Sequence, residues 1–248
     1  MSSQEQVDLD AEHSGKHYSE KEEHMSFRNY MRDVILGTND GLVSVFSLVL
    51  GVAGGGFTPQ GVLVAGIAAA VAGAVSMALG EYLSTKSQDQ VYESERKIEQ
   101  NHIKYHKQHE VDELYKFYKD KGLEGDLLDQ VVDQIASDDE VLLDEMMMTE
   151  FGILDVKRRV PIRATLIIGL AFIIGSLPSV IPFIFVTSTM QGIIISSITS
   201  VTALFIVGAL KAYFVKSNIY YSGFENMFLG MIGAAITYGI GYVIGINV

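Results

Sequence analysis

The 18 lysines and arginines of this chain occupy three zones only: before residue 33, between residues 86 and 163, and at Lys211 and Lys216. Between them run long apolar stretches, 34–57, 60–83, 162–186, 190–214 and 224–247. Each is near or above the ~20 residues that cross ~30 Å of hydrocarbon as a helix. Inside a bilayer every backbone polar group must be satisfied within the protein, so such stretches can only be helices. The chain is therefore expected to be an all-α polytopic membrane protein with five transmembrane helices. Composition agrees once it is read by region. The chain is 48% hydrophobic yet carries a net charge of −12, a poor match to one soluble domain. The conflict disappears because the acids concentrate in 84–157.

Basic residues collect on the cytoplasmic side of a membrane. Arg28 and Arg32 put the N-terminus inside. The uncharged connection Gly54 to Gly61 then falls outside, and 84–161 inside. The uncharged turn near Thr187 to Gln191 is outside, and Lys211 and Lys216 bring the fourth connection inside. The C-terminus, Ile246-Asn247-Val248, lands outside, and the alternation has no violation. The expected organisation is a disordered cytoplasmic tail over 1–30, two spans over 31–85, a cytoplasmic helical insert over 86–158, and three spans over 159–248. The first 30 residues have no apolar core like that of a signal peptide. The chain has no cysteine, which removes disulfides and thiolate metal sites. Its acidity argues against a nucleic-acid partner, for which a basic surface is needed.

Ionisable and soft residues in the spans draw attention because charge in a bilayer is costly. Asp40 either caps a helix starting near Leu42 or lies inside one starting near Asp33. A start at Leu42 leaves about 16 residues, roughly 24 Å, which is short for a bilayer. A start near Asp33 buries Asp40 about two turns deep. Met77 in the second span is a thioether that packing alone would explain. Glu81 lies one turn later, and Glu225 is read as a favourable charge at the N-terminus of the fifth span. Pro178 and Pro182 should kink or end the third span. The second span, GVLVAGIAAAVAGAVSMALG, is rich in small residues that let helices approach closely.

The acidic insert reads as three helices. A long one runs from about Ser84 to Asp120, closed by Lys121-Gly122. A shorter one covers about 126–136, and a third, about 138–151, starts at the capping candidates Ser137, Asp138 and Asp139. The long helix carries Glu99 and His102 at i, i+3, with His106 and His109 beyond, then Glu110 and Glu113 at i, i+3. A carboxylate and an imidazole so spaced share a helix face and can grip one metal ion. A solvated charged face is the plainer alternative. The third helix adds Asp144-Glu145-Met146-Met147-Met148-Thr149-Glu150, where the methionines could equally be core. Carboxylate, imidazole and thioether together suit Fe²⁺ or Mn²⁺ better than Ca²⁺ or Mg²⁺.

Taken jointly, these residues resemble the vacuolar iron transporter (VIT) family of ferrous iron and manganese exporters, over nearly the whole chain after residue 30. N-D-G-L at 39–42 is similar to the family's T-x-D-G-L, with its pore aspartate at Asp40. S-M-A-L-G-E-Y at 76–82 matches S-M-x-x-G-E-Y, with the pore methionine at Met77. Glu99, His102, Glu110 and Glu113 fall where the family has the glutamates of its metal-binding helix. Met146, Met147 and Glu150, in L-D-E-M-M-M-T-E-F-G, fall on its D-F-M-M-x-x-E-x-G. S-G-F-E-N-M-F-L-G, from 222, is similar to its final helix. Two departures stand out. His102 replaces a glutamate, and no second carboxylate lies between Gly61 and Met77.

The resemblance implies a homodimer with the path between subunits, and divalent metal/proton antiport out of the cytosol, with no prosthetic group. The transported ion would be Fe²⁺ or Mn²⁺, and the insert could also bind Zn²⁺ or Co²⁺. The bacterial cell membrane is the expected location, with a vacuolar membrane as the alternative. The rivals are a membrane-anchored di-iron oxidase, which would want a second Glu-x-x-His pair, and a non-transporting acidic scaffold.

Overall fold

The structure, a computed structural model, describes residues 30–152 and 160–246. The expected tail before Tyr30, the end of the expected insert (153–158) and the C-terminal residues 247–248 lie outside the described residues. All regular structure among the described residues is helical: α1 (Tyr30–Gly54), α2 (Pro59–Asp120), α3 (Gly125–Ala136), α4 (Asp139–Phe151), α5 (Pro161–Val180), α6 (Pro182–Phe185), α7 (Thr189–Val215) and α8 (Ile219–Ile246). Five of them, α1, α2, α5, α7 and α8, are long and apolar enough to cross a membrane. The chain divides into two compact units, one formed by residues up to Tyr82 together with Pro161–Val248, the other by Leu83–Val160.

The first unit is held by close helix crossings. A Cβ on Gly41 would run into the backbone of Phe172, and one on Gly175 into the backbone of Thr38, so α1 and α5 touch backbone to backbone. Gly51 and Gly241 do the same for α1 and α8. Lipid tails are as apolar as side chains, so this contact area, not water exclusion, drives helix association. Buried hydroxyls supplement it. Thr237 Oγ1 donates to the Ser47 carbonyl at 2.7 Å, and Ser179 and Ser200 share a hydrogen bond of 2.9 Å between α5 and α7.

Of the two prolines expected to kink or end the third span, only Pro182 lies at its end. Pro178 is accommodated inside α5, and Thr199 Oγ1 donates to its carbonyl at 2.7 Å. Pro182 follows the end of α5 and sits at the start of the four-residue α6. Two helix starts bear on the acids, the first choosing between the alternatives for Asp40 and the second correcting the expectation for Glu225. First, α1 is already helical at Tyr30, so Asp40 lies in its interior and does not cap a helix starting near Leu42. Second, α8 begins at Ile219, which moves Glu225 beyond the first turn. Its carboxylate therefore cannot act as a charge on the helix N-terminus, because that effect fades within one turn.

The second unit has its own core: Tyr92 and Ile103 from the earlier part of α2, Leu114 from its later part, Leu128 and Val132 from α3, and Leu142, Leu143, Met146 and Met147 from α4. The caps follow the local sequence. Asp138 Oδ1 accepts from the Glu140 N–H at 2.9 Å, satisfying an otherwise unpaired donor at the start of α4. Gly152 closes that helix in the left-handed conformation, φ 64°. Arg96 forks between Asp144 (2.8 Å) and Glu140 (3.0 Å), and the Tyr118 hydroxyl donates to Glu145 at 2.9 Å. Both contacts tie α4 to α2.

One feature of α2 departs from the single straight helix expected over 84–120. His106 has φ −137° and ψ 31°, outside helical values, and two helical arms meet there. Neither proline nor glycine marks the break.

Candidate functional site

The break at His106 builds the site. Glu99 and Glu110 are eleven residues apart, which in a straight helix separates them by about 16 Å along the axis. Instead, Glu99, His102 and Glu110 each offer a ligand atom within 4.8 Å of the others. Nδ1 of His102 lies 3.7 Å from Glu99 Oε2 and 3.5 Å from Glu110 Oε1. The chain must therefore turn at His106 and bring the two arms of α2 face to face. A second group, Glu110, Glu113 and Glu150, is equally tight and shares Glu110 with the first. It adds α4 to the cluster. His109 Nε2 lies 3.9 Å from Glu113, at the edge of this second group.

The electrostatics mark the cluster as costly without a cation. Glu99 and Glu110 are each 2% exposed. Oε1 of Glu99 is buried without a hydrogen-bond partner. Burial, then the adjacent Glu110 carboxyl and the charges of Glu150 and Glu113, push the Glu99 carboxyl up to about 8. The Glu150 carboxyl is also raised, by burial first and then by Glu113 and Glu110. Like charges crowded into a low-dielectric site resist ionising together. A divalent cation would remove that conflict, and the donor set of carboxylates with one imidazole fits Fe²⁺, Mn²⁺, Co²⁺ or Zn²⁺.

Met146 and Met147 lie on α4, the helix that supplies Glu150. Met146 and Met147, 0% and 1% exposed, belong to the hydrophobic core of the second unit, among Leu114, Leu128 and Leu142. Burial among these leucines fits core packing, and a buried thioether one turn from Glu150 can equally serve as a ligand.

In the first unit, Asp40 is exposed on the interior of α1, on a face with Leu36, Ser44 and Leu48 at four-residue spacing. Ser44 Oγ donates to the Asp40 carbonyl at 2.5 Å, leaving the carboxylate to other partners. Met77 is half-buried against the cluster of Val45, Val49 and Phe172. The outer face of α2 carries Ala68, Ala72, Ser76 and Gly80, all exposed and again four apart. Three further acids lie in the spanning helices of the first unit, among them Glu81, half-buried on α2. Asp33, buried on α1, was not singled out from sequence, and Glu225 stands exposed on α8. A spacing argument could not have found Asp33, because only the packing around α1 distinguishes it from an interfacial acid.

The fold and the acid–imidazole cluster together define a polytopic helical membrane protein with a compact helical unit equipped for divalent-cation ligands. The family model described as VIT family matches residues 31–242, and the chain belongs to this family. It is 32% identical to vacuolar iron transporter 1 of Arabidopsis thaliana over 228 residues, 92% of this chain and 90% of the relative. It is 32% identical to vacuolar iron transporter 1 of Oryza sativa subsp. japonica over 234 residues, 94% of this chain and 92% of the relative. The protein of that name from Tulipa gesneriana is 32% identical over 220 residues, 89% of each chain. The family is one of membrane metal transporters, not enzymes.

Proposed function

We propose that the protein exports Fe²⁺, Mn²⁺ or both from the cytosol in exchange for protons. The observation that carries this reading is the convergence of Glu99, His102 and Glu110 across the break at His106, on a chain whose relatives are named iron transporters. In this reading the second unit lies in the cytosol and collects the ion at Glu99, His102, Glu110, Glu113 and Glu150. Met146 and Met147 add their thioethers to this donor set. Zn²⁺ and Co²⁺ fit the same donors and serve as probes.

The ion then crosses beside Asp40 and Met77, between two copies of the chain. What supports a path between copies is the bare face of α1 around Asp40 and the small-residue face of α2. A carboxylate facing lipid is expensive, whereas one facing a partner and a cation is not. Asp40 alternates between metal-bound and protonated states, so each outward ion is coupled to inward proton movement. The orientation is the one the basic zones dictate, with the N-terminus and second unit inside and the C-terminus outside. Transport away from the cytosol is the same whether the membrane is a bacterial cell membrane or a vacuolar one.

The test is flux into proteoliposomes loaded with a metal-sensitive dye. Wild-type protein should admit Fe²⁺ with proton counterflow, and Asp40→Ala should reduce the flux to that of protein-free vesicles. Unchanged flux in Asp40→Ala sinks the role of Asp40 in the path.

A further inference from the structure

Near Arg32 of α1 and the end of α7, these helices and α8 enclose a groove of about 900 Å³ that meets the Asp40 face of α1 at Leu36 and contains neither Asp40 nor Met77. Three cations line it: Arg32 near the start of α1, Lys211 in the last turns of α7, and Lys216, the left-handed C-cap of that helix. No Asp or Glu is among the lining residues. None of the three cations has an ion pair among the described residues. The rest of the wall is mainly apolar, including Ile35, Val207 and Phe214. Asn39 lies two turns from Arg32 on the same face of α1 and lines the same groove. Its Oδ1 is buried without a hydrogen-bond partner.

This combination is unusual for a water-filled vestibule. Three cations near the ends of spanning helices, without an acid partner among the described residues, suit headgroup depth, where each would gain about 1 kcal/mol near an anionic lipid surface. Arg in particular matches a phosphate through two parallel hydrogen bonds. The apolar wall below has the character of an acyl-chain contact, and a free inorganic anion would leave it unused. Asn39 sits two turns further along α1 than Arg32, toward the middle of the span. Its amide, turned by half a rotation, presents an N–H to an ester carbonyl, the orientation of such amides being set by their partners.

We propose that this groove is a binding site for an anionic glycerophospholipid. The phosphate rests on Arg32, Lys211 and Lys216, an ester carbonyl meets Asn39, and the acyl chains lie along Ile35, Val207 and Phe214. The site joins α1 to α7 and α8 through the lipid, and so stabilises the arrangement of these three helices.

The test uses the full chain in neutral detergent, titrated separately with phosphatidylglycerol, phosphatidylcholine and inorganic phosphate. Melting temperature and bound lipid, the latter by native mass spectrometry, are read together. Phosphatidylglycerol should bind and raise the melting temperature, whereas phosphatidylcholine and inorganic phosphate should not. The triple variant Arg32→Gln, Lys211→Gln, Lys216→Gln should weaken phosphatidylglycerol binding by about a hundredfold, at roughly fivefold per cation. If that variant does not fold, Arg32→Gln and Lys216→Gln tested singly should each weaken it by about fivefold. Lys211→Arg should retain binding. An unchanged preference for phosphatidylglycerol in the variants overturns the proposal. So does equal stabilisation by phosphatidylcholine, which would make the groove a non-selective lipid contact. Equal stabilisation by inorganic phosphate would replace the lipid with a free anion.

Discussion

Glu99 offers the sharpest test of the cluster, because in the proposed reading the same carboxyl governs both metal binding and the stability of the metal-free second unit. Its carboxyl is raised from an ordinary 4.5 to about 8, first by burial and then by Glu110, Glu150 and Glu113. In the unfolded chain Glu99 loses its proton near 4.5. In the folded chain it keeps the proton up to about 8. Between these values the folded state holds one more proton, so stability falls as pH rises. At ~1.4 kcal/mol per pH unit the total across that window is about 5 kcal/mol, an upper figure because the neighbouring acids share the protonation. A divalent ion replaces the proton and reverses the trend.

The perturbation is Glu99→Gln, which keeps the shape and removes the ionisable group. Hydrogen–deuterium exchange over 83–160 in the full-length, metal-free protein measures the local opening energy. Wild type should lose protection steadily from pH 5 to 8, and Glu99→Gln should hold its protection with little slope. Calorimetry with Mn²⁺ in buffers of different ionisation enthalpy counts released protons. Wild type should release about one from this site at pH 7 and almost none at pH 9.5, whereas Glu99→Gln should release none and bind more weakly. Flat protection in the wild type between pH 5 and 8, or an equal slope in the variant, would refute the reasoning.

Other residues give independent tests. Leu142→Ala removes a side chain with 0% exposure from the core of the second unit and should cost about 2–5 kcal/mol, read as lost exchange protection over 83–160. Arg96→Ala severs the fork to Asp144 and Glu140; because both partners are largely exposed, the loss should be only about 1 kcal/mol and should shrink in high salt. Gly175→Leu would drive a side chain into the backbone of Thr38 and should abolish a monodisperse peak in size-exclusion chromatography. Gly80→Leu meets nothing in a single copy, so the monomer should fold; if two copies pack through this face, cross-linked dimer should disappear, and an unchanged dimer yield would locate the interface elsewhere.

The charge zones and apolar stretches were enough to define five spanning helices, because hydropathy and backbone satisfaction in lipid are properties of local sequence. The start of α4 at Asp138 and its end at Gly152 were legible for the same reason: a cap needs only its own turn. Resemblance also reached the acids of the cluster, since motifs and spacing survive in the linear chain. Tertiary structure decided the rest. The break at His106 carries no proline or glycine, so no local signal announces that Glu99 meets Glu110 across a turn instead of lying about 16 Å away along one helix. The thioethers of Met146 and Met147 read equally as ligands or as core, and only the fold shows them buried among Leu114, Leu128 and Leu142 on the helix that carries Glu150. Glu225 loses its role at a helix N-terminus because α8 starts six residues earlier, at Ile219. The sequence determines which residues are costly to bury. Which of them share one buried site depends on contacts between distant segments, and those exist only once the chain has folded.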